Sequence, residues 1–376
     1  MLALFTLRKG LLGRGLAFAA LVAFTSPSLA ADDDRAAYDK AITSAVNFLA
    51  AQQNEDGSFS DAAPIGVTGL CAAGILEHGR TADDPVVKKA LTFLESNIKE
   101  DGGIYGEGSN HKNYETSLSV LAFAAANKDG RYDKLLASTD KFLKGIQWDA
   151  SEEKEESDPF YGGAGYGGHK RPDLSNTAFM MEALKATGTG PDDEAMKKAL
   201  VFVSRCQNLE SEHNTSEFPA KNPDGGFYYT IAAGGSSQAG ETPNGGLRSY
   251  ASMTYAGLKS MIYAGLDKDD ERVKAAVTWL GKHYTLDENP GMGQQGLFYY
   301  YVTCAKALDA LGEEEFVTAD GTKHPWRAEL RAELLGRQQK NGSWVNETTR
   351  WMEGNPQLVT GYTLLAIKYA QPTAAK

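Results

Sequence analysis

A motif that recurs along the chain limits its fold more than any other feature of the sequence. In full or in part, it consists of two large apolar residues, a glutamine, and then Asp-Gly or Asn-Gly with a further apolar residue. The six copies lie at residues 48–59, 93–104, 142–147, 202–227, 279–280 and 334–344. The glycine suits a turn that needs a positive φ angle. A repeat of this kind predicts six similar structural units.

Each copy ends one helix and precedes a second helix of a different kind. The second helices are apolar on nearly all faces and rich in Ala, Gly and Ser; they are predicted at 65–76, 116–126, 175–186, 252–264, 301–311 and 359–369. The first helices have one charged face, as in residues 269–283. A helix with a charged face lies at the surface, and a helix that is apolar all round is enclosed. Outer and inner helices therefore alternate along the chain.

Six alternating pairs predict an all-α fold, an (α/α)6 toroid formed by residues 31–376 as a single domain. The alternative is an open superhelix. Open solenoids need terminal repeats with a polar outer face, and neither end repeat is more polar than the middle ones. This favours closure.

Residues 1–30 resemble a secretory signal. Arg8, Lys9 and Arg14 precede a short apolar run at 16–24, and small residues follow at Ser28 and Ala30. We expect cleavage near Ala30 and an exported protein, periplasmic or secreted. A run of nine apolar residues is too short to span a bilayer, which needs about 20. We expect no membrane span in the mature chain.

Charge argues against a nucleic-acid partner. The chain has 38 basic and 49 acidic residues, so its net charge is −11, and loss of the three positive charges of the signal makes it −14. A nucleic-acid binder needs a basic surface. The three cysteines are too few for a disulfide framework, and their apolar context predicts small buried side chains.

The repeat resembles that of the superfamily of squalene–hopene cyclases and protein prenyltransferase β-subunits, also called the prenyltransferase/squalene oxidase repeat. The resemblance rests on the segments Gln-x-x-(x)-Asp-Gly-Ser-Phe and Gln-x-x-Asn-Gly-Ser-Trp, and it covers nearly all of the mature chain. Residues 171–176, 252–257 and 288–293 are similar to a secreted bacterial branch whose reaction is not assigned. The resemblance implies a terpenoid cyclase/protein prenyltransferase-like toroid that acts on a polyprenyl or other apolar substrate.

The resemblance implies one of two reactive groups, an acidic motif or a zinc site. Terpene cyclases of class II use an Asp-x-Asp-Asp acid, and residues 267–270 match it literally. Acidic pairs also precede other outer helices, at 83–84 and 192–193, so all three predict helix N-caps. The prenyltransferase zinc site has an Asp two residues before its Cys, but Val302 precedes Cys304. We expect no metal and no cofactor.

The predicted site lies at one mouth of the toroid. The inner helices run parallel, so the loops at 149–173, 208–247 and 285–296 all reach their N-terminal ends, where partial positive charge collects. The substrate-binding candidates are Tyr114, Arg171, Asn176, Arg248, Tyr255, Tyr299 and Tyr300. The weaker catalytic candidates are Asp173, Glu115 and His169.

Each candidate also has a structural interpretation. Asp173 suits an N-cap, and Tyr299 and Tyr300 suit packing against the loops. His169 and Arg171 suit surface ion pairs.

Three functions remain open at this point, and so does the question of catalysis. The first is a cyclase-like or transferase-like enzyme, which needs a dry apolar cavity with a buried acid. The second is a polysaccharide lyase or hydrolase, which needs a wide groove lined by tyrosines with two facing carboxylates. The third is a non-catalytic module that binds a glycan, lipid or peptide. A small-molecule lipid or glycan is the expected ligand.

Overall fold

The computed structural model describes residues 27–167 and 170–372, with side chains from residue 33 onward. Most of the predicted signal peptide, residues 1–26, lies outside the described residues. The helices are α1 (Pro27–Gln52), α2 (Pro64–Leu76), α3 (Pro85–Glu95), α4 (Lys112–Ala126), α5 (Asp133–Gly145), α6 (Leu174–Ala186), α7 (Glu194–Arg205), α8 (Phe218–Lys221), α9 (Ala251–Tyr263), α10 (Glu271–His283), α11 (Leu297–Leu311), α12 (Trp326–Arg337) and α13 (Pro356–Lys368).

Short elements occupy the connections between the helices. Three 3₁₀ turns lie at Ala150–Glu152, Ala232–Gly234 and Arg350–Met352. The strands β1 (Phe316–Val317) and β2 (Lys323–His324) pair antiparallel, with Phe316 opposite His324. This hairpin connects α11 to α12. Regular structure in the described part of the chain is thus almost wholly helical.

The inner helices form a closed ring, which confirms the predicted all-α toroid. They are α2, α4, α6, α9, α11 and α13; each contacts the next, and α13 contacts α2. Every residue from Ile65 to Leu76 in α2 is buried. By contrast, the outer helix α7 buries mainly one face, which includes Met196 and Phe202. The difference follows from the apolar composition of the inner set.

The glycine of the repeat joins a hairpin to the next outer helix where the copy contains one. Gly57 has φ 95°, and a Cβ there would lie 2.3 Å from the Lys89 carbonyl oxygen in α3. Gly342, in the last copy, has φ 90°, and its Cβ would lie 2.3 Å from the Ser44 oxygen in α1. Only glycine permits both this φ and this approach. The same turn that joins neighbouring hairpins therefore also joins the last hairpin to the first.

The glutamine of the repeat strengthens the same joint. Gln53 Nε2 donates to the Gly57 oxygen in its own turn (3.0 Å) and to the Val86 oxygen in α3 (2.9 Å). In the last copy, Gln338 makes the equivalent bonds, to Gly342 and to Ala41 of α1. α12 ends at Arg337, so Gln338 is the first residue able to turn its amide toward α1.

The three cysteines are buried, as predicted. Burial raises the pKa of Cys304 to about 12, so the thiol stays protonated at neutral pH. Among residues 27–167 and 170–372, no helix is both long and apolar enough to cross a membrane.

Candidate functional site

A cavity of about 320 Å³ opens at the N-terminal ends of the inner helices. Its wall is mainly apolar and draws on all six inner helices together with the loops that precede them. The lining residues are Ala63, Val67, His111, Tyr114, Glu115, Tyr166, Ser175, Asn176, Phe179, Tyr229, Gln238, Tyr250, Ser252, Met253, Tyr299, Trp351, Met352, Glu353, Leu358 and Tyr362. Residues from distant hairpins thus share one site, which we call the aromatic cavity.

Aromatic side chains from α4, α6, α11 and α13 form the inner wall. The Phe179 ring meets Tyr114 edge to face, with centroids 5.3 Å apart, and lies 5.9 Å from Tyr299. Tyr299 in turn packs 6.0 Å from Tyr362, whose hydroxyl lies 3.2 Å from that of Tyr114. The Tyr299 hydroxyl lies 2.9 Å from Ser175 Oγ. These mutual contacts hold the rings in place with their polar ends partnered.

Asp173 lies directly behind this wall. It is the N-cap of α6, as the structural interpretation predicted, and its carboxyl accepts hydrogen bonds from the backbone N–H of Asn176 (2.9 Å) and from the Asn176 side-chain amide (2.8 and 3.0 Å). The Tyr229 hydroxyl also hydrogen-bonds to it. Asn176 and Tyr229 line the cavity, whereas Asp173 is 2% exposed and does not.

Burial controls the protonation of Asp173. Loss of solvent disfavours its charged form and outweighs the hydrogen bonds from Asn176 and Tyr229, so the pKa of Asp173 rises to about 6. Arg171 lies close enough to oppose this shift in part. Its guanidinium lies 5.4 Å from the Tyr229 ring centroid, and its Nη1 is buried without a hydrogen-bond partner among the described residues.

Two glutamates contribute carboxyl groups to the cavity itself. Glu353 is 1% exposed; it accepts from the Tyr299 backbone N–H (2.8 Å) and from Asn346 Nδ2 (2.7 Å), and so caps α11 from another hairpin. Burial raises the pKa of Glu353. Glu115 accepts from the Gly106 N–H at 3.1 Å. Both side chains are thus anchored to backbone while they face the cavity.

Several sequence candidates lie elsewhere. Tyr255 and Tyr300 are fully buried between α9 and α11, with rings 5.8 Å apart, and neither lines the cavity. Tyr299 and Tyr300 are neighbours on one helix, so they point about 100° apart and only Tyr299 faces the ring axis. Arg248 is exposed beside a different surface cavity, where it donates to the Glu241 carbonyl. His169 lies outside the described residues.

A fourth loop, which the sequence reasoning missed, completes the rim. Trp351 and Met352 have φ 55° and 65°, a conformation that non-glycine residues rarely adopt. Trp351 is 43% exposed, and its ring contacts Gly296 at the start of α11. The signal was available, because this loop precedes the last inner helix just as the other long loops precede theirs. Strained backbone of this kind clusters at functional sites.

Comparison with known proteins identifies the family. The family model for the squalene–hopene cyclase C-terminal domain matches residues 36–232, more than half of the chain. The chain belongs to the squalene–hopene cyclase family. The comparison with curated proteins gave no match.

Solved structures of a squalene–hopene cyclase-like fold match as well. The ligand-free type II terpene cyclase MstE from Scytonema is 15% identical over 90% of this chain and 98% of its own, with a TM-score of 0.53. A variant of MstE in complex with geranylgeranyl dihydroxybenzoate is 15% identical over 91% and 99%, with a TM-score of 0.34. At such identity, the match shows the fold alone.

The Asp-x-Asp-Asp sequence of this family member caps a helix, as predicted. Asp270 is the N-cap of the outer helix α10 and accepts from the Arg272 N–H at 2.8 Å. Asp84 and Asp193 cap α3 and α7 in the same way. Residues 267–270 therefore lie on the outside of the ring, away from the cavity. Within the described residues, no group of His, Cys, Asp and Glu side chains could hold a metal ion.

Proposed function

We propose that this protein takes an isoprenoid-type substrate into the aromatic cavity and cyclises it by protonation, as a terpene-cyclase-like enzyme. One observation carries the proposal: Asp173 is a buried carboxyl group with a raised pKa, and it hydrogen-bonds to Tyr229, which lines the aromatic cavity. A carboxyl with a pKa of about 6 is half protonated at pH 6, so it can donate a proton. Membership of the family and the fold of a type II terpene cyclase support the same assignment.

The aromatic rings suit the charge that such a reaction develops. Protonation of an alkene produces a carbocation, and the faces of Tyr114, Phe179 and Tyr299 offer negative quadrupole density to a cation. The cavity volume of about 320 Å³ lies at the small end of the range for ligand pockets.

The proton would pass from the Asp173 carboxyl to the cavity through Tyr229. The Tyr229 hydroxyl donates to the ionised carboxylate; when Asp173 is protonated, the bond reverses, so that the Asp173 O–H donates to the Tyr229 oxygen and the phenolic proton turns to the cavity. Asp173 then protonates the Tyr229 oxygen as the phenolic proton moves to the alkene carbon. The alkene π electrons form the new C–H bond, and a second alkene closes the ring by attack on the cation. Loss of a proton to a carboxylate such as Glu115 restores neutrality. Substrate and product are isomers, so the step needs no oxidant or reductant.

The test is an activity assay with a matched pair of variants. The purified protein is incubated with farnesol, geranylgeraniol and squalene, and products are identified by gas chromatography and mass spectrometry. Asp173→Asn, which cannot donate a proton, should lose at least about 100-fold of the rate, the usual contribution of a general acid. Asp270→Asn removes an N-cap carboxylate outside the cavity and should retain activity.

Equal activity of Asp173→Asn and the unaltered protein would refute the role of Asp173. Binding of these compounds without any product would instead indicate the third function considered above, a non-catalytic lipid-binding module. The exposed Trp351 and Met352 at the rim favour this lipid-binding module as the second candidate function, because they offer apolar surface to a ligand that enters from outside.

We also propose that the protein is exported. The basic start, the apolar run at 16–24 and the small residues at 28 and 30 support export. N-terminal sequencing of the protein from its own host should find Ala31 first. An intact Met1 in the mature protein would contradict this.

A further inference from the structure

A second cavity lies at the opposite end of the ring, where the inner helices end. It measures about 350 Å³ and is bounded by the C-terminal halves of α2, α4, α6, α9, α11 and α13. Apart from tyrosine hydroxyls, its polar side chains are those of four lysines and two glutamates: Lys128, Lys185, Lys306, Lys368, Glu77 and Glu182. We call it the basic cavity. None of its residues lines the aromatic cavity.

A buried cluster with unbalanced charge forms its floor. Lys259 of α9 and Lys306 of α11 both form ion pairs with the one carboxylate of Glu182 on α6. The side chains of Lys259, Lys306 and Glu182 are only 4%, 7% and 11% exposed. The two ammonium groups outweigh the effect of burial on Glu182 and lower its pKa to about 2. Burial and the neighbouring Lys306 lower the pKa of Lys259, against the opposing effect of Glu182. With both lysines protonated, the cluster carries one positive charge away from bulk water, which is costly without a further partner.

The hydrogen bonds of the cluster are also incomplete. Each ammonium group has three N–H donors. Among the described residues, Lys259 and Lys306 each make one hydrogen bond, and both go to Glu182. The Tyr263 ring, 5.7 Å from Lys259 Nζ, provides a cation–π contact but no oxygen acceptor there. Four donors of these two buried ammonium groups therefore have no acceptor in the part of the chain that the structure describes, and Lys306 faces the cavity.

The rest of the wall adds positive charge. Lys368 forms an ion pair with Glu77, and Lys185 lies 5.0 Å from the Tyr263 ring centroid. The four lysines of the wall and Lys259 behind it carry five positive charges, and the two glutamates carry two negative charges. This region therefore has a formal charge of +3, whereas the whole chain carries −11. The basic cavity is thus opposite in sign to the protein around it.

Helix dipoles explain only part of this arrangement. C-terminal ends of helices favour cations, but the effect falls off within the last turn. Lys185 and Lys368 lie in the last turns of α6 and α13 and fit that explanation. Lys306 lies five residues before the end of α11, and Lys259 four before the end of α9. These two lysines need another source of negative charge.

We propose that the basic cavity binds a small oxyanion, a carboxylate or phosphate group, against Lys306, with the charge of Lys259 behind it. The oxygens of such a group accept hydrogen bonds from the unused donors and neutralise the excess charge. Leu121, Ala125 and Leu365 leave an apolar portion of the wall for a short organic part of the ligand. The proposal does not depend on the function assigned to the aromatic cavity.

The experiment is a thermal-unfolding titration of the full protein at pH 7. Sodium phosphate, glycerol phosphate, acetate and citrate are compared with sodium chloride at equal ionic strength. An anion that binds only the folded protein raises the melting temperature. At least one phosphate or carboxylate should raise it in a saturable way, and the order of potency identifies the preferred group. No rise beyond that with chloride would overturn the proposal.

Variants locate the effect. Lys306→Met leaves a neutral Lys259–Glu182 pair and should weaken binding of the most potent anion at least tenfold. Lys274→Met removes an exposed lysine of α10 and should leave it unchanged. Arg350→Ala removes a cation at the rim of the aromatic cavity and should also leave it unchanged. Unchanged affinity in Lys306→Met, or its loss in Arg350→Ala, would refute the assignment to the basic cavity. If Lys306→Met does not fold, Glu182→Gln decides, because it removes a competing negative charge and should strengthen binding.

Discussion

Replacement of Asp173 by asparagine should change how the stability of this protein depends on pH. Asp173 is 2% exposed, and burial raises its pKa to about 6, against an ordinary value of 3.8. A difference of two pKa units corresponds to about 3 kcal/mol between the two protonation states. The free energy is large enough to measure and arises from one side chain.

The sign follows from proton binding. Between pH 4 and pH 6, the folded protein keeps a proton on Asp173 that the unfolded chain releases. The favourable contribution of Asp173 is therefore complete below about pH 4 and is lost as the pH rises through 6. An asparagine does not ionise, so the free energy of unfolding of Asp173→Asn should rise relative to the unaltered protein by about 3 kcal/mol across this interval. The new amide retains an oxygen that can cap α6.

The assay is urea unfolding, followed by circular dichroism at one-unit steps from pH 4 to pH 8. Asp270→Asn is the control. The pKa of Asp270 is lowered, first by its hydrogen bond to Arg272, so its contribution is present above about pH 4 and is lost only as the pH falls below it. The decisive quantity is the difference in unfolding free energy between Asp173→Asn and the unaltered protein. If this difference varies by less than about 1 kcal/mol from pH 4 to pH 8, burial does not dominate the pKa of Asp173.

Three further results are expected. Gly342→Ala should destabilise the protein by about 1–3 kcal/mol in urea unfolding, because Gly342 has a positive φ and lies close to Ser44. Gly336→Ala, in an open position near the end of α12, should stabilise the protein by about 0.5–1 kcal/mol. Equal effects of the two substitutions would argue against the glycine joint. Trp351→Ala should weaken retention of an apolar ligand about tenfold, as measured by native mass spectrometry. It should lower the unfolding free energy by no more than about 2 kcal/mol, since the ring is 43% exposed; unchanged retention would exclude Trp351 from the site. The three thiols should fail to react with Ellman's reagent at pH 8 until the protein is denatured, because burial raises their pKa values, that of Cys304 to about 12; rapid reaction of the native protein would contradict their burial.

The ring and its local joints could be predicted from the sequence. The alternation of one-faced and all-apolar helices, and the Asp-Gly turns after residues such as Phe48, depend on neighbours a few residues apart. The same holds for the caps at Asp84, Asp193 and Asp270, since a side chain that accepts from a backbone N–H two residues on needs no distant partner. Periodicity and capping are properties of short segments.

The composition of the two cavities was decided only when the ring closed. Helix rotation selects Tyr299 rather than Tyr300 for the axis, and that rotation is set by packing between α11 and its neighbours. Glu353 reaches the start of α11 from another hairpin, and Lys306 meets Glu182 across 124 residues of sequence. The raised pKa of Asp173 depends on the layers that exclude water from it. Such effects arise from segments brought together by the fold, so no local pattern in the sequence carries them.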